Sequence, residues 1–244
     1  MALNIVDKAT PHAPKMLLYG LSGAGKTTLA SKLKNAIVLD VEGGAEFMDI
    51  PRIQKKDLQS YEAFYRVLTE LWVQADKSKD GRQFDNIIID SADWLVRLIV
   101  EHAAGIDSKN LTETLNKSNG GYGNGKQVLE NEIRSRLIPT FNKLIAQGYG
   151  ITLVAHAKQT KLLDGDGNKL ETIAPKIDEN TMNVFVEWVD FVYYLKSDSE
   201  GKRTLVLDSD GVALAKNRIG KSGTVSLSDE DFDINKLITV GKEK

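Results

Sequence analysis

Eight consecutive residues carry the clearest chemistry in this chain: Gly20-Leu21-Ser22-Gly23-Ala24-Gly25-Lys26-Thr27. They fit the pattern G-x-x-x-x-G-K-[ST], which binds phosphate when a strand precedes it and a helix follows. Residues 15–19 (KMLLY) predict a buried strand, and residues 26–34 predict a helix. Glycines at this spacing let backbone N–H groups turn inward around a phosphate, and the helix N-terminus adds partial positive charge. Lys26 is placed to reach the β- and γ-phosphates, and the Thr27 hydroxyl to take one position on Mg²⁺. The expected nucleotide-binding residues are therefore Gly20, Ser22, Gly23, Ala24, Gly25, Lys26, Thr27 and Thr28.

Two acids complete this constellation. Asp90 ends the apolar run NIIID, where a carboxylate is needed to hold the metal with Thr27. The competing reading makes Asp90 a cap on the helix that follows. Glu42 lies two residues past Asp40, just beyond the strand-like run AIVLD. A carboxylate there can face the γ-phosphate and orient an attacking water as general base. Asp40 and Glu46 compete for that role, and a solvated loop acid is the plain alternative.

The elements that must position these residues read as one α/β domain over residues 1–244, with 1–14 an irregular arm holding Pro11 and Pro14. Apolar runs at 15–19, 36–40, 85–90 and 149–156 predict strands, and 49–54 is a further candidate. Leu58, Tyr61, Tyr65, Leu68 and Trp72 step at helical spacing, as do Leu129, Ile133, Leu137, Phe141 and Leu144. Pro139 falls inside the second stripe and predicts a kink or two abutting helices. Residues 105–126, with GGYGNG, read as a mobile loop, and 158–176 as a hairpin turning at DGDGN. Strand-like runs at 191–195, 204–207, 212–216 and 224–227 fill the tail. A mainly parallel central sheet flanked by helices, extended by antiparallel C-terminal strands, follows from this order.

Composition removes several alternatives. Lys plus Arg number 32 against 34 Asp plus Glu, so no broadly basic surface coats DNA, although local loops can still hold it. With no cysteine, disulfides, Cys-zinc sites and thiol catalysis are impossible. Three histidines leave little for a His-based metal site, and His12 and His102 show no ligand spacing. No apolar run nears the roughly 18 residues that span a bilayer, so no membrane partner is expected. No signal-peptide core is visible, and a cytoplasmic location is the expectation.

The order of motifs resembles the RecA/DnaB branch of P-loop ATPases. GLSGAGKTT is similar to its Walker A loop, IVLDVEGG to its strand-then-glutamate element, and NIIIDSADWL to its Walker B strand with Ser91 following. ITLVAHAKQ resembles the sensor strand, with His156 where RecA proteins carry Gln. AKNRIG resembles the K-x-R-x-G strand of hexameric helicases. The resemblance implies that Lys216 and Arg218 reach into a neighbouring subunit's ATP. It runs from about residue 15 to 223 and is nearest to compact, core-only RecA-like proteins of bacteriophages. It thus implies a RecA-like fold, ATP and Mg²⁺ as cofactors, and a homo-oligomer acting on single-stranded DNA in recombination or annealing. A single-strand-binding protein as partner and the host cytoplasm as location are further implications.

In that family two loops face DNA, here 105–126 and 158–176. Tyr122 could stack on a base, and Lys117, Lys126, Lys158 and Lys161 could meet phosphates, with Asp164, Asp166 and Glu171 diluting the second loop. Residues 164–168 lack the later ligands of a calcium loop and read as a turn, as do 208–211. Trp188, Tyr193 and Tyr194 read as core. Two other functions stay open: a nucleotide-gated DNA-binding or mediator protein with little hydrolysis, and a small-molecule kinase, which would want an Arg-bearing lid. An AAA+ machine would add a C-terminal helical lid, whereas this tail reads as strands.

Overall fold

The computed structural model describes residues 12–77, 81–104, 115–163 and 169–239. Its centre is a sheet whose strands alternate buried side chains toward two helical layers. The first half contains β1 (Lys15–Gly20), α1 (Lys26–Ala30), β2 (Ala36–Asp40), β3 (Arg52–Ile53), α2 (Tyr61–Lys77), β4 (Asn86–Asp90) and α3 (Ala92–Ala104). There follow α4 (Asn124–Glu132), α5 (Ile138–Ala146), β5 (Gly150–Leu163), β6 (Lys169–Pro175) and α6 (Glu179–Trp188). The tail holds β7 (Phe191–Ser197), β8 (Arg203–Val206), β9 (Lys216–Asn217), β10 (Thr224–Ser226) and the one-turn helix α7 (Ile234–Leu237).

The strand order is β10-β8-β7-β1-β5-β4-β2-β3, with β6 on β5 and β9 on β7. From β7 to β3 along this path all pairings are parallel. The β7–β8, β8–β10, β7–β9 and β5–β6 pairings are antiparallel. Parallel strands covered on both faces need apolar residues at consecutive positions, which explains their unbroken runs. Leu17, Tyr19, Ile87, Ile89, Ile151 and Leu153 face the layer of α2 to α6. Met16, Leu18, Val38, Ile88 and Val154 face α1 and the C-terminal segment. Leu153 is fully buried, and its truncation to Ala would cost about 2–5 kcal/mol.

Several sequence expectations change in detail. The helix after the phosphate loop is only five residues, Lys26–Ala30, and turns continue to 34. Of the run at 49–54 only Arg52–Ile53 pairs as a strand. The run at 212–216 is mostly irregular, with Ala213 in an isolated bridge to Ile173. At Pro139 the helical path continues from α4 through a π-helical stretch, Ile133–Leu137, into α5 at Ile138, so that α4 and α5 abut across that stretch. A wider turn accommodates the missing N–H and the ring's bulk.

The GGYGNG run is partly an ordered cap. Gly120, Gly121, Tyr122 and Gly123 all have positive φ, and Asn124 N–H donates to the Gly121 carbonyl at 3.1 Å as α4 begins. Residues 105–114 and the hairpin tip 164–168 lie outside the described residues, as does the arm 1–11. No helix among the described residues is long and apolar enough to cross a membrane.

Candidate nucleotide site

Register brings the chemistry together. Gly20, the last residue of β1, lies opposite His156 on β5 and Leu195 on β7. Asp40 on β2 lies opposite Asp90 on β4. The ends of β1, β2 and β4 thus converge with His156 of β5 and Leu195 of β7 on one edge of the sheet, where loops leave a crevice outside the carboxyl ends of parallel strands. Gly20 must be glycine, because a Cβ there would stand 2.4 Å from the Leu195 carbonyl oxygen.

The phosphate loop then turns through Gly23 (φ 78) and Gly25 (φ 91), left-handed positions that favour glycine. Lys26 is buried, and its ammonium donates to the Leu21 carbonyl at 3.0 Å, closing the loop on itself. Burial pushes the Lys26 pKa down, while the Asp90, Glu42 and Asp93 carboxylates push it up. A cavity of about 370 Å³ opens over this loop. Its lining includes Ser22, Gly23, Gly25, Lys26, Thr27, Thr28, Glu42, Asp90 and His156. The sequence-derived residues at the phosphate loop, the two acids and the sensor position therefore meet at one site.

Thr27 Oγ1 donates to Asp90 Oδ2 at 2.5 Å, so a hydroxyl and a carboxylate stand side by side in the cavity. Oxygen donors with one carboxylate suit Mg²⁺, which keeps several waters and takes phosphate oxygens as its other ligands. Burial is the largest influence on Asp90 and pushes its carboxyl up; the Thr27 hydrogen bond and Lys26 oppose this, and Glu42 and Asp40 reinforce it. A divalent cation would offset the cost of keeping that carboxylate charged. The residues fit the metal, which would be held by Thr27 and Asp90 and would polarise the phosphate oxygens.

Asp40 and Glu42 divide their tasks. Asp40 is fully buried, and its carboxylate accepts from the N–H groups of Gly43, Gly44 and Ala45 at 2.7, 3.0 and 3.1 Å. These bonds tie the carboxylate to the backbone of residues 43–45 and fix that loop. Glu42 N–H donates to the Asp90 carbonyl at 3.0 Å, and the Lys55 ammonium reaches the Glu42 carbonyl at 3.0 Å. Lys55 lies over the Trp94 ring, 4.4 Å from its centroid. The Glu42 side chain is left half-buried and lines the cavity. Glu46 is exposed and is not on the cavity lining.

His156 is oriented by a residue that the sequence did not single out. Its Nδ1 lies 3.0 Å from Asp93 Oδ2, its backbone N–H donates to Asp93 Oδ1 at 3.2 Å, and its Nε2 lies 3.7 Å from Glu42 Oε1. Asp93 sits in the first turn of α3, where the helix N-terminus favours an acid. Its position three residues after Asp90 was the only available signal. Arg203, on β8, was also missed. It lines the cavity, and a Cβ on Gly25 would stand 3.1 Å from its guanidinium carbon. No local motif marks it.

Lys216 and Arg218 do not join this cavity. The Lys216 ammonium donates to the carbonyls of Val186 and Val189 at 2.5 and 2.8 Å, capping the C-terminal end of α6. Arg218 pairs with Asp190 at 3.2 Å and donates to the Glu187 carbonyl at 2.9 Å. Lys216 and Asn217 of β9 pair with Val192 and Phe191, at the start of β7, whereas Gly20 at the start of the phosphate loop lies opposite Leu195 further along it. Both cations therefore have structural partners in their own chain.

The chain matches the family described as AAA domain over residues 12–219, and it belongs to that family. No curated protein matches the chain. The fold and site thus define an AAA-type P-loop domain, a class of nucleotide-binding ATPases. This corrects the argument from the strand-rich tail against an AAA assignment. The match ends at residue 219 and so includes β7, β8 and β9 of that tail.

Proposed function

We propose that this protein is a Mg²⁺-dependent ATPase of RecA type that acts as a homo-oligomer on single-stranded DNA, in recombination or strand annealing of the phage kind. The observation that carries the ATPase part is the approach of Glu42 and His156 to the cavity that also holds Lys26 and the Thr27–Asp90 pair. Glu42 takes a proton from a water aligned on the γ-phosphate, and Lys26 balances the charge developing on the phosphate oxygens. His156 senses the occupied γ-phosphate position through its proximity to Glu42. The metal supplies polarisation of the phosphate oxygens when bound by Thr27 and Asp90.

The DNA part is supported by continuity. β5 runs directly from His156 into the β5–β6 hairpin, which carries Lys158 and Lys161. Asp93, the partner of His156, also lines a second cavity together with Leu115 and Lys158, where the two loop segments meet. Tyr122 is fully exposed. Lys158 is engaged with the Ile177 carbonyl at 2.7 Å and Lys161 with Glu171 at 3.7 Å, so phosphate contacts there would exchange existing partners. The nucleotide-gated binder with little hydrolysis draws support from Lys216 and Arg218, which would have to exchange their own-chain partners before either could act as a finger.

Fluorescence anisotropy of a labelled single-stranded oligonucleotide tests the coupling. Affinity is expected to differ severalfold between ATP and ADP, and this difference to vanish in Lys26→Ala. Equal affinities in both nucleotide states, or no binding at low salt, would overturn the DNA assignment.

A further inference from the structure

Lys55 begins the 3₁₀ turn Lys55–Asp57 that follows β3, and its side chain is half-buried beside the Glu42 loop. The ammonium donates to the Glu42 carbonyl at 3.0 Å. It also lies 4.4 Å from the centroid of the Trp94 ring, within the range where an aromatic face attracts a cation. The stem runs close over Gly43, where a Cβ would stand 3.1 Å from Lys55 Cδ. Gly43 itself has φ 90, a left-handed position that favours glycine. The lysine is thus fitted closely to the backbone that carries Glu42.

We propose that Lys55 is a positioning residue for ATP hydrolysis, which fixes the backbone that aims Glu42 into the cavity. This rests on the reading of Glu42 as general base. Both peptide planes that flank the Glu42 Cα are pinned. On one side the Glu42 N–H donates to the Asp90 carbonyl at 3.0 Å. On the other, the peptide joining Glu42 to Gly43 is gripped twice. Its N–H donates to Asp40 Oδ1 at 2.7 Å, and its carbonyl accepts from Lys55. Two fixed planes set the direction of the Cα–Cβ bond, so Glu42 keeps only its side-chain torsions. Asp40 and Asp90 act from the ends of β2 and β4, whereas Lys55 arrives from beyond β3. Trp94 holds the lysine in turn. It lies in the first turn of α3 next to Asp93, which orients His156. One turn of helix therefore carries supports for both Glu42 and His156, whose facing atoms are 3.7 Å apart.

Steady-state ATP hydrolysis by the full chain with Mg²⁺, paired with calorimetric titration of ADP, tests this. Lys55→Met keeps the stem and removes the donor. Its kcat is expected to fall by about tenfold or more, while KM and ADP affinity change by less than about twofold. Lys55→Arg keeps a donor and a cation for the ring, and is expected to return kcat to within about threefold of wild type. Trp94→Leu is expected to lower kcat by about threefold or more with the same unchanged ADP affinity. Added to Glu42→Gln, Lys55→Met is expected to cause no further loss of the residual turnover, because it acts through Glu42. Wild-type kcat in Lys55→Met, or an equal loss when Glu42 is already replaced, would overturn the positioning role. Should Lys55→Met fail to fold, wild-type kcat in Trp94→Leu would overturn it instead. Wild-type turnover in Glu42→Gln would overturn the general-base reading, and the role of Lys55 with it.

Discussion

Asp93 holds His156 at two points: one carboxylate oxygen accepts the His156 backbone N–H at 3.2 Å, and the other lies 3.0 Å from the ring Nδ1. The ring is thereby turned so that Nε2 faces Glu42 at 3.7 Å. Asp93→Asn keeps an acceptor for the backbone N–H and loses the carboxylate that orients the ring. We expect kcat for ATP hydrolysis to fall by about tenfold, with nucleotide affinity little changed, since the lost interaction acts through another residue. Steady-state kinetics combined with nucleotide titration check this. A variant with wild-type kcat would remove Asp93 from the positioning role.

The division between Asp40 and Glu42 gives opposite signatures. Glu42→Gln should retain ATP affinity and thermal stability while hydrolysis drops by about 10²- to 10⁴-fold. Asp40→Ala should instead lower stability by about 3 kcal/mol, because three backbone donors lose a charged acceptor. Thermal melts and turnover measured on the same preparations separate the two. Unchanged turnover in Glu42→Gln would move the general base elsewhere.

Lys216 is the sharpest test of the own-chain contacts. Lys216→Ala removes the donor that satisfies carbonyls at the end of α6, and should cost about 1–2 kcal/mol of stability. Turnover per folded protein should stay near wild type. A variant of wild-type stability that has lost turnover, and whose turnover is recovered when it is mixed with Lys26→Ala protein, would instead restore the trans-acting finger implied by the resemblance.

Metal dependence should be readable without turnover. In the presence of ADP, Mg²⁺ should raise the melting temperature of the wild-type protein, because binding to the folded state alone stabilises it. Asp90→Asn keeps an acceptor for Thr27 yet weakens the metal site, so the Mg²⁺-dependent increment should shrink or vanish. An increment as large as wild type would remove Asp90 from the metal.

Much of this arrangement was legible in the residues, and the reason is locality. The phosphate loop is a continuous segment whose geometry follows from its own glycines, and β1, β2, β4 and β5 announce themselves as apolar runs because both faces of the sheet are covered. Asp90 was legible because it ends such a run. What escaped depends on partners distant in sequence. Arg203 reaches Gly25 from the far side of β7, and nothing in its neighbours marks it. Asp93 reads as an ordinary acid at a helix start until β5 brings His156 to it. Asp40 and Glu42 competed in the sequence, and only the three hydrogen bonds to the 43–45 backbone separate them. The motif around Lys216 and Arg218 suggested a reach toward a neighbouring subunit, and no local pattern reveals that α6 and Asp190 supply both with partners in their own chain.

Under the proposed function, Lys26 and Glu42 serve a Mg²⁺-dependent ATP hydrolysis coupled to single-stranded DNA. Its most direct test is ATP turnover by the purified protein with Mg²⁺ at low salt, with and without single-stranded DNA. We expect Mg²⁺-dependent turnover that rises with DNA and is abolished in Lys26→Ala. Turnover that survives Lys26→Ala, or none at all with both Mg²⁺ and DNA present, would contradict it.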